Sequence, residues 1–125
     1  MLNFALMGAG RIGKMHAKNI VMHSKCNLSY IFDINQDLAN EVAKQNKVNV
    51  AQSAEEVIND KDVDVVFIAS ATPTHVDFIT MAAKAGKAIF CEKPIDLDIE
   101  KVNKCFETIK DFDVPIQIGF NRRYD

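Results

Sequence analysis

The chain has 125 residues, 48% of them hydrophobic and 26% charged, with a formal net charge of −2. That is the size and balance of one globular domain able to bury a core. The charge argues against a nucleic-acid partner, because no basic surplus exists to neutralise phosphates, and no run of about eighteen apolar residues offers a membrane span.

Strand and helix signals alternate from the first residues. Leu2 to Met7 is a short apolar run that ends in glycines, a first strand. Arg11 to Ser24 has helical spacing, with Ile12, Met15, Ile20 and Met22 as the expected buried side. Leu28 to Phe32 is a second strand, and Asn35 to Asn46 a helix with Leu38, Ala39 and Val42 inward. A short third strand is expected over Val48 to Ala51. Ser53 then caps a helix, with Glu56 three residues on completing a capping box. Val63 to Ala69 carries few polar residues and predicts a central parallel strand covered on both faces. A helix from Thr74 to Ala85 stops at Gly86. A strand over Ala88 to Cys91, a helix over Leu97 to Phe112 and a strand over Val114 to Gly119 close the series. The implied fold class is α/β: a doubly wound, mostly parallel sheet with helices on both faces, the Rossmann arrangement, as a single unit without an internal linker.

The opening MLNFALMGAG has no basic n-region and runs straight into a glycine turn, so it does not read as a signal peptide. Cys26, Cys91 and Cys105 are scattered without CxxC spacing. They read as small buried or half-buried side chains of a protein in a reducing compartment, with the cytoplasm as the expected location. His16, His23 and His75 lie far apart and form no HExxH pattern, so no metal site is expected.

The motif with most chemistry is GAGRIG, at Gly8, Gly10 and Gly13, between a predicted strand and a predicted helix. Gly8 allows the tight turn, Gly10 lets the backbone approach a pyrophosphate, and Gly13 lets the helix pack closely. The helix start then aims free N–H groups at the phosphates. Asp33 stands at the end of the second strand, about 20 residues beyond Gly13, where a carboxylate accepts from the adenosine ribose hydroxyls. Its charge would repel a 2′-phosphate, which favours NAD over NADP. The glycine loop is shared with S-adenosylmethionine and FAD binders, which stay open as alternatives. A P-loop is excluded in its usual form, since no GKS or GKT follows.

The loop Ser70 to His75 follows the central strand and therefore lies on the ligand side of such a sheet. Thr72 and Thr74 offer hydroxyls, Thr74 is a candidate cap, and Pro73 stiffens the turn. After the next strand come Glu92, Lys93 and Pro94. A lysine there can hydrogen-bond a substrate hydroxyl and stabilise a developing alkoxide. Pro94 is a candidate cis proline. Asn121, Arg122 and Arg123 follow the last strand on the same side. An ordinary exposed lysine and a plain capped turn are the competing readings of these residues.

GAGRIG at 8–13, ATPTH at 71–75, EKP at 92–94 and GFNRRYD at 119–125 together resemble the N-terminal part of the glucose–fructose oxidoreductase and inositol 2-dehydrogenase (Gfo/Idh/MocA) family, over essentially the whole chain. Within it, the likeness leans toward the bacterial myo-inositol 2-dehydrogenase branch. The resemblance implies that Gly8, Gly10, Arg11, Ile12 and Gly13 bind pyrophosphate and that Asp33 binds the adenosine ribose. It implies that Ala71, Thr72, His75 and Glu92 line the cofactor, with Asn121 and Arg123 closing the site. It further implies that Lys93 is catalytic in reversible hydride transfer between NAD and a polyol or sugar hydroxyl carbon. The resemblance supplies a second, substrate-binding α/β domain, expected to be absent from this chain. That domain brings an aspartate and a histidine that takes the hydroxyl proton, and much of a homo-oligomer interface. On that reading the isolated chain binds cofactor only. Another sugar, a nucleotide sugar or a dihydrodiol stays open as substrate, and a non-catalytic dinucleotide sensor stays open as a different class of function.

Overall fold

The computed structural model of the chain describes residues 1–119. Its strands are β1 (Leu2–Met7), β2 (Cys26–Phe32), β3 (Asn49–Val50), β4 (Val65–Ile68), β5 (Ala88–Glu92) and β6 (Ile116–Gly119). Its helices are α1 (Arg11–Met22), α2 (Gln36–Asn46), α3 (Ala54–Ile58), α4 (His75–Lys84) and α5 (Ile99–Ile109), with a single 3-10 turn at Thr72–Thr74 before α4. All pairings are parallel and the sheet order is β3-β2-β1-β4-β5-β6. The expected Rossmann arrangement is therefore the observed one. Strands β1 and β4 sit side by side at its centre although a hydrogen bond between their approaches, Asn3 N–H to Asp64 Oδ2 (2.8 Å), spans 61 residues.

The two faces have separate cores. Leu6, Ile31, Phe67, Ala17, Ile20 and Val42 pack on the side of α1 and α2. Met7, Val66, Ile68, Ile79, Ile89 and Cys91 pack on the side of α3, α4 and α5. Strand β4 is buried at all four positions, as its unbroken apolar run predicts. Buried Lys87 sends its ammonium to the carbonyls of Asp60 (2.6 Å) and Val63 (2.7 Å), which ties the turn before β4 to the start of β5.

Caps decide where the helices begin. Asn35 accepts from the N–H groups of Asp37 and Leu38, so it precedes α2. Asp98 accepts from Glu100 N–H, so α5 starts after the expected Leu97. Ser53 accepts from Glu56 N–H as expected, but Glu56 returns to Gln52 N–H instead of to the cap residue itself. Thr74 does not cap α4 through its side chain; its hydroxyl donates to Ala71 O (2.6 Å) and lies 2.6 Å from Ser70 Oγ.

The buried stripes differ from the expected ones. Helix α1 turns Gly13, Ala17 and Ile20 inward, while Ile12, Met15 and Met22 are exposed. Small residues face the sheet because the helix axis comes too close for large side chains. Helix α2 likewise buries Ala39, Val42 and Ala43 and leaves Leu38 exposed. Among the described residues no helix is long and apolar enough to cross a membrane.

Cys91 and Cys105 are buried and Cys26 is half-buried, and all three are free thiols. Burial pushes the Cys91 thiol up to about 12 and raises the Cys105 thiol as well. The thiolate is the reactive form. Iodoacetamide is therefore expected to modify Cys26 before either buried thiol. Peptide mass spectrometry checks this, and equal labelling of Cys91 in the folded protein would contradict the packing.

Candidate functional site

The carboxyl ends of β2, β1, β4 and β5 lie in that order along one edge of the sheet, and the loops leaving them carry the candidate residues. Strand order reverses between β1 and β4, the place where open parallel sheets hold ligands.

The glycine loop is built by three different steric demands. Gly8 has φ +116°, and a Cβ there would strike the Ala69 carbonyl and Ser70 N. Gly13 lies on α1 against the backbone of Gly8, and its Cβ would collide with the Gly8 carbonyl. Gly10 differs: φ is −76°, a value any residue adopts, and a Cβ would meet nothing within 4 Å. No protein atom demands a glycine there. The demand that remains is room on the open side, where a ligand backbone or phosphate would approach. Gly10 also leads into α1 with no side-chain cap hydrogen bond, so the first N–H groups of the helix face outward unpaired by a cap. The set fits an anionic pyrophosphate. Arg11 and Ile12 open that helix and are exposed.

Asp33 is more than a surface acid. Its Oδ2 accepts from Ala9 N–H (2.8 Å) and its Oδ1 from Asn35 N–H (2.8 Å). One carboxylate thus fixes the glycine loop and the entry to α2. Each oxygen keeps acceptor capacity, since a carboxylate has about four lone-pair sites. Beside it lies a cleft of about 430 Å³ lined by Gly8, Asp33, Ile34, Ser53, Ala71 and Phe78 among others. Ile34 is 92% exposed, an aliphatic side chain standing free at the cleft rim. That residue and Phe78 escape a reading of motifs; the signal was an apolar residue directly after the acid.

Across the sheet, Ala71 borders the same cleft and Thr72 opens the 3-10 turn. His75 does not line the cofactor space. It is 1% exposed, with Nδ1 2.7 Å from Pro94 O and Nε2 2.9 Å from Ser70 O. The ring is consumed in joining the loops after β4 and β5, and leaves no polar atom for a ligand. Glu92 turns one carboxylate oxygen inward, Oε1 lying 2.6 Å from Nε2 of His16 on α1, and remains 22% exposed. Lys93 is exposed at the end of β5, and the Lys93–Pro94 peptide is cis. Three strand spacings separate the ends of β2 and β5, roughly 14 Å. An extended dinucleotide covers that distance. Asn121, Arg122 and Arg123 lie outside the described residues. Among the described residues no group of three or more histidine, cysteine or carboxylate side chains is arranged to hold a metal.

Residues 2–120 match the family model GFO_IDH_MocA, described as an oxidoreductase family with an NAD-binding Rossmann fold. The chain is similar to inositol 2-dehydrogenase of Rhizobium meliloti, 41% identical over 99% of this chain and 37% of that protein. It is similar in structure to a myo-inositol dehydrogenase of Corynebacterium glutamicum, with TM-score 0.93 and 45% identity over 100% of this chain and 38% of that one. It is also similar to scyllo-inositol dehydrogenase of Lactobacillus casei with bound NAD(H) and scyllo-inositol, with TM-score 0.92 and 32% identity over 100% of this chain and 38% of that one. The chain spans 37% of the length of the first curated relatives it matches.

Proposed function

We propose, since the chain belongs to the GFO_IDH_MocA oxidoreductase family as its NAD-binding Rossmann domain, that it forms the cofactor half of an NAD-dependent cyclitol dehydrogenase. Myo-inositol or scyllo-inositol is the expected substrate. The carrying observation is the alignment along one sheet edge of Asp33, the open Gly10 with the uncapped start of α1, and the exposed Lys93. The relatives' names supply the substrate class.

Bound NAD would supply the hydride acceptor for a hydroxyl-bearing carbon. The chain's own residues do the holding. The first turn of α1 receives the pyrophosphate, Asp33 receives the ribose hydroxyls, and the cleft by Ile34 receives the adenine. Lys93 donates a hydrogen bond to the reacting hydroxyl oxygen and stabilises the negative charge that grows there. In this reading the hydroxyl proton goes to a histidine of the family's second domain, which also carries most substrate contacts and the homo-oligomer interface. The cytoplasm, a reducing compartment, suits three free thiols.

Asp33 also predicts the cofactor. A 2′-phosphate would place negative charge against its carboxylate, so the protein is expected to bind NADH at least about tenfold more tightly than NADPH. Calorimetric titration with each measures it. Equal affinities would sink the charge argument, and a folded protein that binds neither would overturn the cofactor reading. Reduction of NAD with another sugar and with no inositol would keep the chemistry and move the substrate.

A further inference from the structure

We propose that His16 is a positioning residue for Lys93: it grips the residue before the lysine and joins that lysine's placement to the helix that faces the pyrophosphate. The inference rests on the proposed function, in which Lys93 touches the reacting hydroxyl.

His16 lies on α1, three residues past Gly13. Its Nε2 is 2.6 Å from Glu92 Oε1, and the two side chains are only 15% and 22% exposed. A carboxylate only accepts, so the ring N–H donates. The imidazole is held sideways as well. Its centroid is 4.5 Å from that of Phe67 and 6.1 Å from that of Phe90, and those two phenyl rings stack at 4.3 Å. On the far side of the carboxylate is Gly119, where a Cβ would come within 3.1 Å of Glu92 Oε2 and 3.0 Å of the Phe90 ring. The pocket for Glu92 is therefore made by a histidine on one side and by a missing side chain on the other.

The residue after the lysine is held too. Pro94 O is 2.7 Å from His75 Nδ1, and that ring's Nε2 is 2.9 Å from Ser70 O. A neutral ring donates at one of those positions and a doubly protonated ring at both. Two imidazoles, from helices on opposite faces of the sheet, thus hold the residues on each side of Lys93, one by the Glu92 side chain and one by the Pro94 carbonyl. What freedom remains belongs to the lysine side chain. Helix α1 is the shared part: its first turn receives the dinucleotide, and the next turn holds Glu92. A group that fixes geometry in this way acts on the rate of the chemical step more than on binding.

The test uses the full-length protein with myo-inositol and NAD. His16→Ala is expected to lower kcat by about tenfold to a hundredfold, the scale for a misplaced catalytic group, with NADH affinity nearly unchanged. His16→Gln, whose amide N–H can still reach Glu92, is expected to recover most of the rate. Glu92→Gln, which keeps the shape without the charge, is expected to fall between them and serves if His16→Ala does not fold. On a Lys93→Ala background, His16→Ala is expected to cost no more than about twofold, because both act through one group. Equal costs in the two backgrounds, or a loss confined to NADH binding, would overturn the proposal. A readout independent of substrate separates this from the proposed function. Acylation of Lys93 by acetic anhydride, measured against Lys104 by mass spectrometry, is expected to change rate in His16→Ala and to return in His16→Gln. An unchanged rate overturns the positioning role even where no cyclitol is oxidised. A changed rate without cyclitol oxidation keeps the positioning role and sinks the substrate reading.

Discussion

Replacing Gly13 with alanine is expected to prevent stable folding, whereas the same replacement at Gly10 is expected to leave the fold intact and remove cofactor binding. The two glycines belong to one short motif, but their surroundings differ completely. A methyl at Gly13 would enter the carbonyl of Gly8, and both partners are backbone. Neither can step aside without separating α1 from β1. Ordinary overpacking costs up to about 3 kcal/mol, and a backbone collision belongs at or beyond that limit. A methyl at Gly10 meets no protein atom, and the local φ of −76° suits alanine. Its stability change is expected within about 1 kcal/mol, where the loss of a good cap residue and the smaller unfolded-state entropy oppose each other. On the proposed placement of the pyrophosphate the methyl stands where the backbone must approach it, so NADH affinity is expected to fall by more than about tenfold. Thermal unfolding and calorimetry on both variants check the contrast. A Gly10→Ala protein that binds NADH normally would show that no ligand comes near that position.

On the proposed function, replacing Lys93 with alanine in a protein that also carries the family's second domain is expected to cut kcat by about a hundredfold or more, as loss of a positioned proton or charge donor does. NADH affinity is expected to move little. Lys93 is exposed at the strand end and no packing is lost with it. Arginine is not expected to rescue the rate, because its planar fork replaces a compact point charge. Steady-state rates with calorimetric affinities separate the two effects. A turnover within about twofold of the parent would remove Lys93 from the chemistry.

How much of this was legible in the sequence depended on how local each signal is. Strand β1 was readable to the residue because glycines end it, and the existence of β4, though not its ends, because both of its faces are buried. The start of α3 was readable from its cap Ser53, whereas the caps Asn35 and Asp98 were read as part of their helices. The buried face of α1 was not. Hydrophobicity selects Ile12, Met15 and Met22, while the close approach enforced at Gly13 selects Gly13, Ala17 and Ile20. The glycine spacing and the acid after β2 pointed to loops that the fold does bring to one edge of the sheet. The inward turn of the His75 ring, to Pro94 O and Ser70 O, was not legible, because a sequence shows the loop and not which way a side chain turns. The contact of His16 with Glu92 was not legible, since the two are 76 positions apart and no spacing rule links them.

The central pair of strands has a consequence for how the protein assembles. The crevice between β1 and β4 closes a segment of about sixty residues, as the 61-residue span of the Asn3–Asp64 bond shows. Shorter pieces such as β1-α1-β2 can form early, because they ask little loop entropy. The β1–β4 pairing is expected to be slower because it is non-local, and the ligand crevice does not exist before it. Capture of dinucleotide by a refolding chain is therefore expected to follow that pairing, and stopped-flow binding during refolding checks it. The same linkage makes the cofactor a stabiliser of the finished state, since any ligand that binds only the native crevice pulls the equilibrium toward it.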